Sequence, residues 1–243
     1  RVVHMTKPKH IGIVAVSAEG AALCYLTICV EGAALLGRHS HPEITMHNYP
    51  LADHMRFIEK GQWKEVGDLI LASAEKLRTA GAEFLICPDN TEHQAIDLIR
   101  DRSPLPWLHI AEEVAFVAAS RGFKKVLLLG TRYLMEGPVY PAKLEAKGIT
   151  RVIPDAETRK RINEIIFDEL VYGRFEKPSR AFFVEVIEKY KKQGCEAAIL
   201  GCTEIPLLIT DKDSPLPTLE STRILARSAL RESTREATKD LSK

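Results

Sequence analysis

Ala197-Ala198-Ile199-Leu200-Gly201-Cys202-Thr203-Glu204 is a continuous apolar run that breaks into a small polar turn at a cysteine. A short run of this kind reads as a strand buried on both faces, the mark of a parallel sheet. A strand, a turn and a following helix place Cys202 where backbone N–H groups and the positive end of a helix dipole favour an ionised sulfur. The first half of the chain holds a matching stretch, Phe84-Leu85-Ile86-Cys87-Pro88-Asp89-Asn90-Thr91, with Asp89 where the second stretch has its cysteine.

Working outward, the same pattern opens each half. Ile11-Gly12-Ile13-Val14-Ala15-Val16 is an apolar strand followed by the small turn Ser17-Ala18-Glu19-Gly20 and a helix through Tyr25. Lys125-Val126-Leu127-Leu128-Leu129-Gly130-Thr131 repeats it, with a helix predicted near Val139 to Ala146. Other strands are predicted at Glu43 to His47, Phe84 to Cys87 and Val152 to Pro154, with an extended segment at Leu105 to His109 shaped by two prolines. Apolar residues at helical spacing predict helices over Trp63 to Leu77, through Ile162 to Leu170, through Val184 to Tyr190 and over Ser221 to Leu230. Gly81 is a plausible stop for the first of these. Strands alternating with helices predict an α/β fold with parallel sheets. The restart near residue 110 predicts two similar domains, 5–108 plus 216–243 and 109–215. Ligands collect at the carboxyl ends of parallel strands. Two facing halves would therefore put the Asp89 and Cys202 turns on opposite sides of one cleft.

Composition sets the outer limits. The chain has 243 residues, 45% hydrophobic and 28% charged, with formal net charge +1. Near-neutral charge gives no electrostatic case for nucleic-acid or membrane binding, and no uninterrupted apolar run of about 18 residues occurs. Arg1-Val2-Val3-His4 reads as a remnant ahead of a native Met5, and no secretory signal is evident. The five cysteines, Cys24, Cys29, Cys87, Cys195 and Cys202, show no C-x-x-C spacing. Neither a zinc site nor a disulfide framework is expected, and the expected setting is reduced and cytoplasmic. The absence of a G-x-G-x-x-G pattern argues against a dinucleotide site.

Two acid/base groups on opposite faces of one carbon are what a cofactor-free racemase needs. One removes the α-proton and the other returns a proton to the opposite face. Backbone N–H groups with Asn90, Thr91 and Thr203 are suited to grip the α-carboxylate and stabilise the carbanion. A thiolate is a competent base near neutral pH.

The turns Asp89-Asn90-Thr91-Glu92-His93 and Gly201-Cys202-Thr203-Glu204-Ile205-Pro206 resemble the two active-site signatures of the aspartate/glutamate racemase family, whose other members include hydantoin racemase, maleate isomerase and arylmalonate decarboxylase. The resemblance covers nearly the whole chain. It implies two pseudo-symmetric α/β domains, a site in the inter-domain cleft, no cofactor, no metal and a homodimer. A small amino or carboxylic acid would be the substrate, and the C-terminal helix would return to the first domain. Cys202 and Asp89 would be the catalytic pair. Ser17, Asn90, Thr91, Thr131 and Thr203 would line the carboxylate site, with Arg159 as a side-chain anchor.

The sequence also departs from that family. Two-cysteine members carry Cys-Asn-Thr in the first turn, where this chain has Asp89-Asn90-Thr91. Neutral Ala52 falls where aspartate-specific members carry a base, and Arg56 is the nearest cation. Asp89 is therefore open to three readings: a carboxylate base opposite Cys202, an orienting residue beside a single-cysteine decarboxylase of malonate-type acids, or the mark of a non-catalytic small-acid-binding relative. Cys87, two residues before Asp89, shares its strand face and reads first as a buried small hydrophobe. His93 either orients a substrate carboxylate or caps the following helix. Glu204 either holds Cys202 or caps its helix.

Overall fold

A computed structural model describes residues 7–239 of the chain; the Arg1-to-Met5 segment lies outside them. The chain divides into two compact units, one formed by 1–109 with 225–243 and the other by 110–224.

The first unit is built from β1 (Ile11–Ala15), α1 (Ala18–Leu36), β2 (Ile44–Asn48), α2 (Leu51–Ile58), α3 (Trp63–Thr79), β3 (Phe84–Ile86), α4 (His93–Ile99) and β4 (Trp107–Leu108). Its four strands pair in parallel in the order β2-β1-β3-β4. Every side chain of β1 and β3 is buried, as continuous apolar strands of a parallel sheet require. The second unit comprises α5 (Ile110–Ser120), β5 (Lys125–Leu129), α6 (Arg132–Glu136), α7 (Pro141–Glu145), β6 (Thr150–Val152), α8 (Ala156–Asp168), α9 (Lys177–Lys192), β7 (Ala197–Leu200), α10 (Ile205–Leu208) and β8 (Thr218–Glu220). Its sheet repeats the order, β6-β5-β7-β8, again all parallel. The α/β class with two parallel sheets flanked by helices is thus the architecture that the strand–turn–helix repeats imply.

Alternation along the strands of the second unit divides its core in two. Leu127, Leu129, Ala198 and Leu200 face the α8 and α9 side, among Ile162, Ile166, Phe183 and Ile187. Val126, Leu128, Ala197 and Ile199 face the α5 and α7 side, among Val114, Ala118 and Leu144. Cys202 keeps the parity of Ala198 and Leu200 and belongs to the first of these clusters.

Several elements differ from the sequence reading. The helix expected to end at Tyr25 runs to Leu36 and buries Gly20, Ala21, Cys24, Thr27, Ile28 and Gly32. At 19 residues with a mean hydropathy of 1.5, it is long and apolar enough to cross a membrane by length and composition alone. Its interruptions, Glu19 and Glu31, hide this from a search for an unbroken apolar run. The strand expected at Val152 to Pro154 lies at Thr150–Val152, pairing with Lys125–Leu127; Pro154 has no N–H to offer a ladder. The helix expected over Val139 to Ala146 starts at Pro141, a proline at the first turn. Strand β8 was not anticipated, because Leu216-Pro217-Thr218 reads as a loop. The final helix, α11 (Ser221–Lys239), outruns its expected end at Leu230.

Contacts in the first unit anchor α11. Ser233 Oγ donates to the Lys9 carbonyl at 2.6 Å while its own carbonyl accepts from Lys9 N–H at 3.0 Å. Arg227 forks onto the Glu31 carboxylate of α1 at 2.8 and 2.9 Å.

Gly201, between β7 and Cys202, sits in a tight place. A Cβ there would lie 2.4 Å from Leu134 Cδ2 and 3.0 Å from the Leu129 carbonyl oxygen, which itself accepts from Gly201 N–H at 2.7 Å. Gly201→Ala should therefore cost about 1–3 kcal/mol through overpacking. Its melting temperature, read by circular dichroism, should fall below that of the unsubstituted protein.

Candidate active site

In both sheets the chain reverses its direction of winding between the two central strands, β1 and β3 in one and β5 and β7 in the other. Crevices at such switch points open at the carboxyl ends of the strands. Two of the singled-out residues lie beyond the first strand of each pair. Ser17 caps α1, its Oγ accepting from Gly20 N–H at 3.3 Å. Thr131 caps α6 in the same way, its Oγ1 accepting from Leu134 N–H at 3.3 Å. Beyond β3 come Asp89, Asn90 and Thr91, and beyond β7 come Cys202, Thr203 and Glu204. Each sheet thus gathers its own share of the expected site residues at one switch point.

The Cys202 turn is buried and polar. Cys202 is 9% exposed and Glu204 4%, and the thiol donates to Glu204 Oε2 at 2.8 Å. The turn's approach is held by Ser221 Oγ, which donates to the Leu200 carbonyl at 3.0 Å. The sequence reading credited the sulfur's activation to a helix N-terminus. Helix α10 has four residues and begins at Ile205, and the group in contact with the sulfur is the Glu204 carboxylate. Of the two roles open to Glu204, the structure shows the contact with Cys202 and no side-chain cap.

The Asp89 turn is arranged differently. Asp89 Oδ1 accepts from the N–H groups of Thr91 at 3.0 Å and Glu92 at 3.4 Å, a short-range turn typical of aspartate. Asn90 is buried and Thr91 half-buried. His93 is fully buried. Its Nε2 lies 2.9 Å from the Cys87 carbonyl oxygen, and its ring meets His109 edge to face at 4.3 Å. His93 thus holds the end of β3, and the residue before α4 is Glu92, without a side-chain cap. Glu92 points inward to His54 on α2, its Oε1 lying 3.2 Å from His54 Nδ1.

A model of the Asp/Glu/Hydantoin racemase family matches residues 12–229. The chain belongs to that family. It is similar to a candidate Asp/Glu racemase of Yersinia pestis, 34% identical with a TM-score of 0.84, over 96% of this chain and 99% of that one. It is also similar to an aspartate racemase homologue of Pyrococcus horikoshii, 31% identical with a TM-score of 0.80, over 93% and 99%. The broad specificity amino-acid racemase RacX of Bacillus subtilis is 25% identical over 166 residues, 68% of this chain and 71% of that protein.

Three other thiols, Cys24, Cys87 and Cys195, are held above their ordinary range by burial. Burial pushes the Cys24 thiol up to about 12. Burial, with the charges of Asp89 and Glu92, holds Cys87 well above its ordinary value, and its S–H points to the Asp89 carbonyl at 3.9 Å. Arg159 lies on α8 with its guanidinium engaged by Glu136 Oε1 at 2.9 Å and the Pro154 carbonyl at 2.6 Å. A substrate carboxylate would have to share or displace these partners. Arg56 lies over the Phe57 ring at 4.6 Å. Among the described residues no group of three or more His, Cys, Asp or Glu side chains is placed to hold a metal ion.

His54 and Glu92 were not found by sequence reasoning. The available signal was a histidine on the inward stripe of Leu51-Ala52-Asp53-His54-Met55-Arg56-Phe57-Ile58, in step with buried Ile58. Burial works to lower the His54 pKa, but the close approach of Glu92 and the charges of Asp89 and Asp53 outweigh it, leaving it above its ordinary 6.5. A raised histidine pKa adds stability that is full below the unfolded value and is lost as pH rises through the folded value. The stability gap between the unsubstituted protein and His54→Gln should therefore narrow as pH is raised from about 6 to about 9, as read by urea denaturation. For the thiol, Glu204→Gln should alkylate faster at Cys202 at a given pH, because the thiolate then forms beside a neutral amide. Peptide mapping after iodoacetamide reads the rate at that one residue.

Proposed function

We propose that the protein is a cofactor-independent racemase of a small amino acid or related carboxylic acid. Cys202 would serve one face of Cα and Asp89 the other. The observation that carries this reading is the Cys202–Glu204 contact of 2.8 Å in a buried turn at a sheet's switch point. Membership of the Asp/Glu/Hydantoin racemase family supports it, as does the likeness to a broad specificity amino-acid racemase.

The hydrogen bonding favours one starting state. Cys202 donates its proton to Glu204, and Asp89 accepts backbone N–H bonds as a carboxylate. From that state the Asp89 carboxylate takes the Cα proton and the C–H electron pair moves into the substrate carboxylate. Cys202 then delivers its thiol proton to the opposite face. The enzyme is left with Asp89 protonated and Cys202 as thiolate, the state that starts the reverse direction. Glu204 steadies the thiol before transfer and weighs against the thiolate after it. Asn90, Thr91 and Thr203 are the groups proposed to hold the substrate carboxylate, with Ser17 and Thr131 at the neighbouring strand ends. In this reading the enzyme works as a homodimer in the cytoplasm.

Solvent deuterium incorporation at Cα, followed by mass spectrometry across a panel of amino acids that includes aspartate and glutamate, tests the reading. Incorporation with inversion is expected for at least one of them. Cys202→Ala and Asp89→Asn should each lower the rate by about 10²–10⁴-fold, the usual worth of a positioned acid or base. No incorporation with any amino acid at high enzyme concentration sinks the racemase reading. Carbon dioxide release from a disubstituted malonate would instead identify a decarboxylase.

A further inference from the structure

A buried ion pair lies directly behind the Asp89 turn, and no step above uses it. His54 is 1% exposed and Glu92 is fully buried. Neither ring nitrogen of His54 and neither carboxylate oxygen of Glu92 has a well-aligned hydrogen-bond partner. Their 3.2 Å approach is the compensation that the structure offers both. An ion pair so placed is sensitive to the loss of either member, because the survivor is left charged and unpaired in the interior.

Glu92 has two attachments. Its side chain reaches inward to His54, while its backbone N–H donates to Asp89 Oδ1 at 3.4 Å, beside that of Thr91 at 3.0 Å. It is also the residue before α4, and its carbonyl accepts from Ala95 N–H at 2.9 Å and Ile96 N–H at 3.0 Å. Its backbone is thus at once the end of the turn and the start of the helix, and its side chain ties this corner to α2. Glu204 stands in the same place before α10, with a similar backbone conformation, φ −87 and ψ −26 against φ −60 and ψ −24. There the carboxylate touches the reacting sulfur. In the first unit it touches His54.

We propose that His54 is a positioning residue for the Asp89 turn, acting through Glu92 to keep the Thr91 and Glu92 N–H groups aimed at the Asp89 carboxylate. The groups that bear on the pair are Asp53 from α2, with Cys87 and Asp89 from the segment after β3. With the pair intact, Asp89 is fixed in place and its charge is stabilised by two N–H donors. With it broken, the turn loosens and the carboxylate loses those donors, which makes it easier to protonate. The catalytic meaning of this tether rests on the reading of Asp89 as an acid/base partner.

The test uses the full chain with His54→Gln, Glu92→Gln and the double variant. Each single change should raise amide hydrogen exchange at Thr91 and Glu92 by at least about tenfold and move the Asp89 carboxyl titration, followed by carbon NMR, to higher pH. The double variant, with no buried charge left over, should recover part of both. A melting temperature that falls while those two amides and the Asp89 titration stay unchanged would make the pair merely structural and overturn the proposal. Should a single variant fail to fold, the unsubstituted protein decides. Its Asp89 resonance should show a second inflection as His54 titrates, and a single inflection overturns the proposal. If Cα exchange is found, His54→Gln should lower kcat with KM nearly unchanged. If none is found, the racemase reading fails on its own while the amide and titration results still decide the role of His54.

Discussion

Strand β7 carries only apolar side chains from Ala197 to Leu200, all buried, and helices cover both faces of its sheet. The rest of the second unit follows from that constraint. A strand with no wet face has no polar exit until its carboxyl end, where the backbone leaves the sheet and N–H groups come free of the ladder. Gly201 makes the exit possible by admitting Leu134 and the Leu129 carbonyl at distances no side chain would permit. Only then can Cys202 keep the inward parity of Ala198 and Leu200 and still meet a carboxylate. Strand β3 obeys the same constraint in the first unit, and its exit is Cys87-Pro88-Asp89.

The two exits solve one problem in different ways. Both turns place a buried glutamate just before the following helix, where a carboxylate must be compensated or neutralised. Glu204 is compensated by a thiol proton, which ties its state to that of the sulfur. Glu92 is compensated by an imidazole, which leaves the neighbouring Asp89 to take the backbone donors. An aspartate in the first turn therefore affects more than its own position. It places three acidic groups, Asp53, Asp89 and Glu92, around one histidine, and the raised pKa of His54 is the expected response.

Much of the fold was legible because its signals are local. Continuous apolar runs at Ile11, Phe84, Lys125 and Ala197 fixed the central strands, and small turns after them marked the exits. What was hidden depended on partners distant in the chain. Strand β8 needs β7 beside it, with Ala198 to Leu200 pairing onto Thr218 to Glu220. The length of α1 rests on packing along β1 and the grip of Arg227 on Glu31, 196 residues away. At the site, residue types in the turns were readable and their loyalties were not. His93 reads equally as ligand-facing or capping, and its contacts with the Cys87 carbonyl and the His109 ring come only with the fold. Arg159 reads as a side-chain anchor for substrate, and its contacts with Glu136 and the Pro154 carbonyl are not visible in the sequence. His54 reads as one polar residue on an apolar stripe, because nothing local signals that a glutamate 38 positions later needs a counter-charge.

If Asp89 and Cys202 serve the two faces of one carbon, as proposed, the difference between their turns bears on how a proton crosses the planar intermediate. In the starting state proposed here, one face meets a carboxylate held by backbone N–H groups and the other a thiol held by a carboxylate. The first is acceptor-ready and the second donor-ready, so a single resting state favours one direction of inversion. The return direction must begin with Asp89 protonated against its N–H donors and a thiolate beside Glu204. Both features work against that state. The thermodynamics of racemisation fix the overall equilibrium regardless, so the enzyme can differ between directions only in how its own protonation states are populated. That makes the return of protons to and from solvent part of the cycle. In that proposed cycle, the groups that tune it are Glu204 at Cys202 and the His54–Glu92 pair at Asp89.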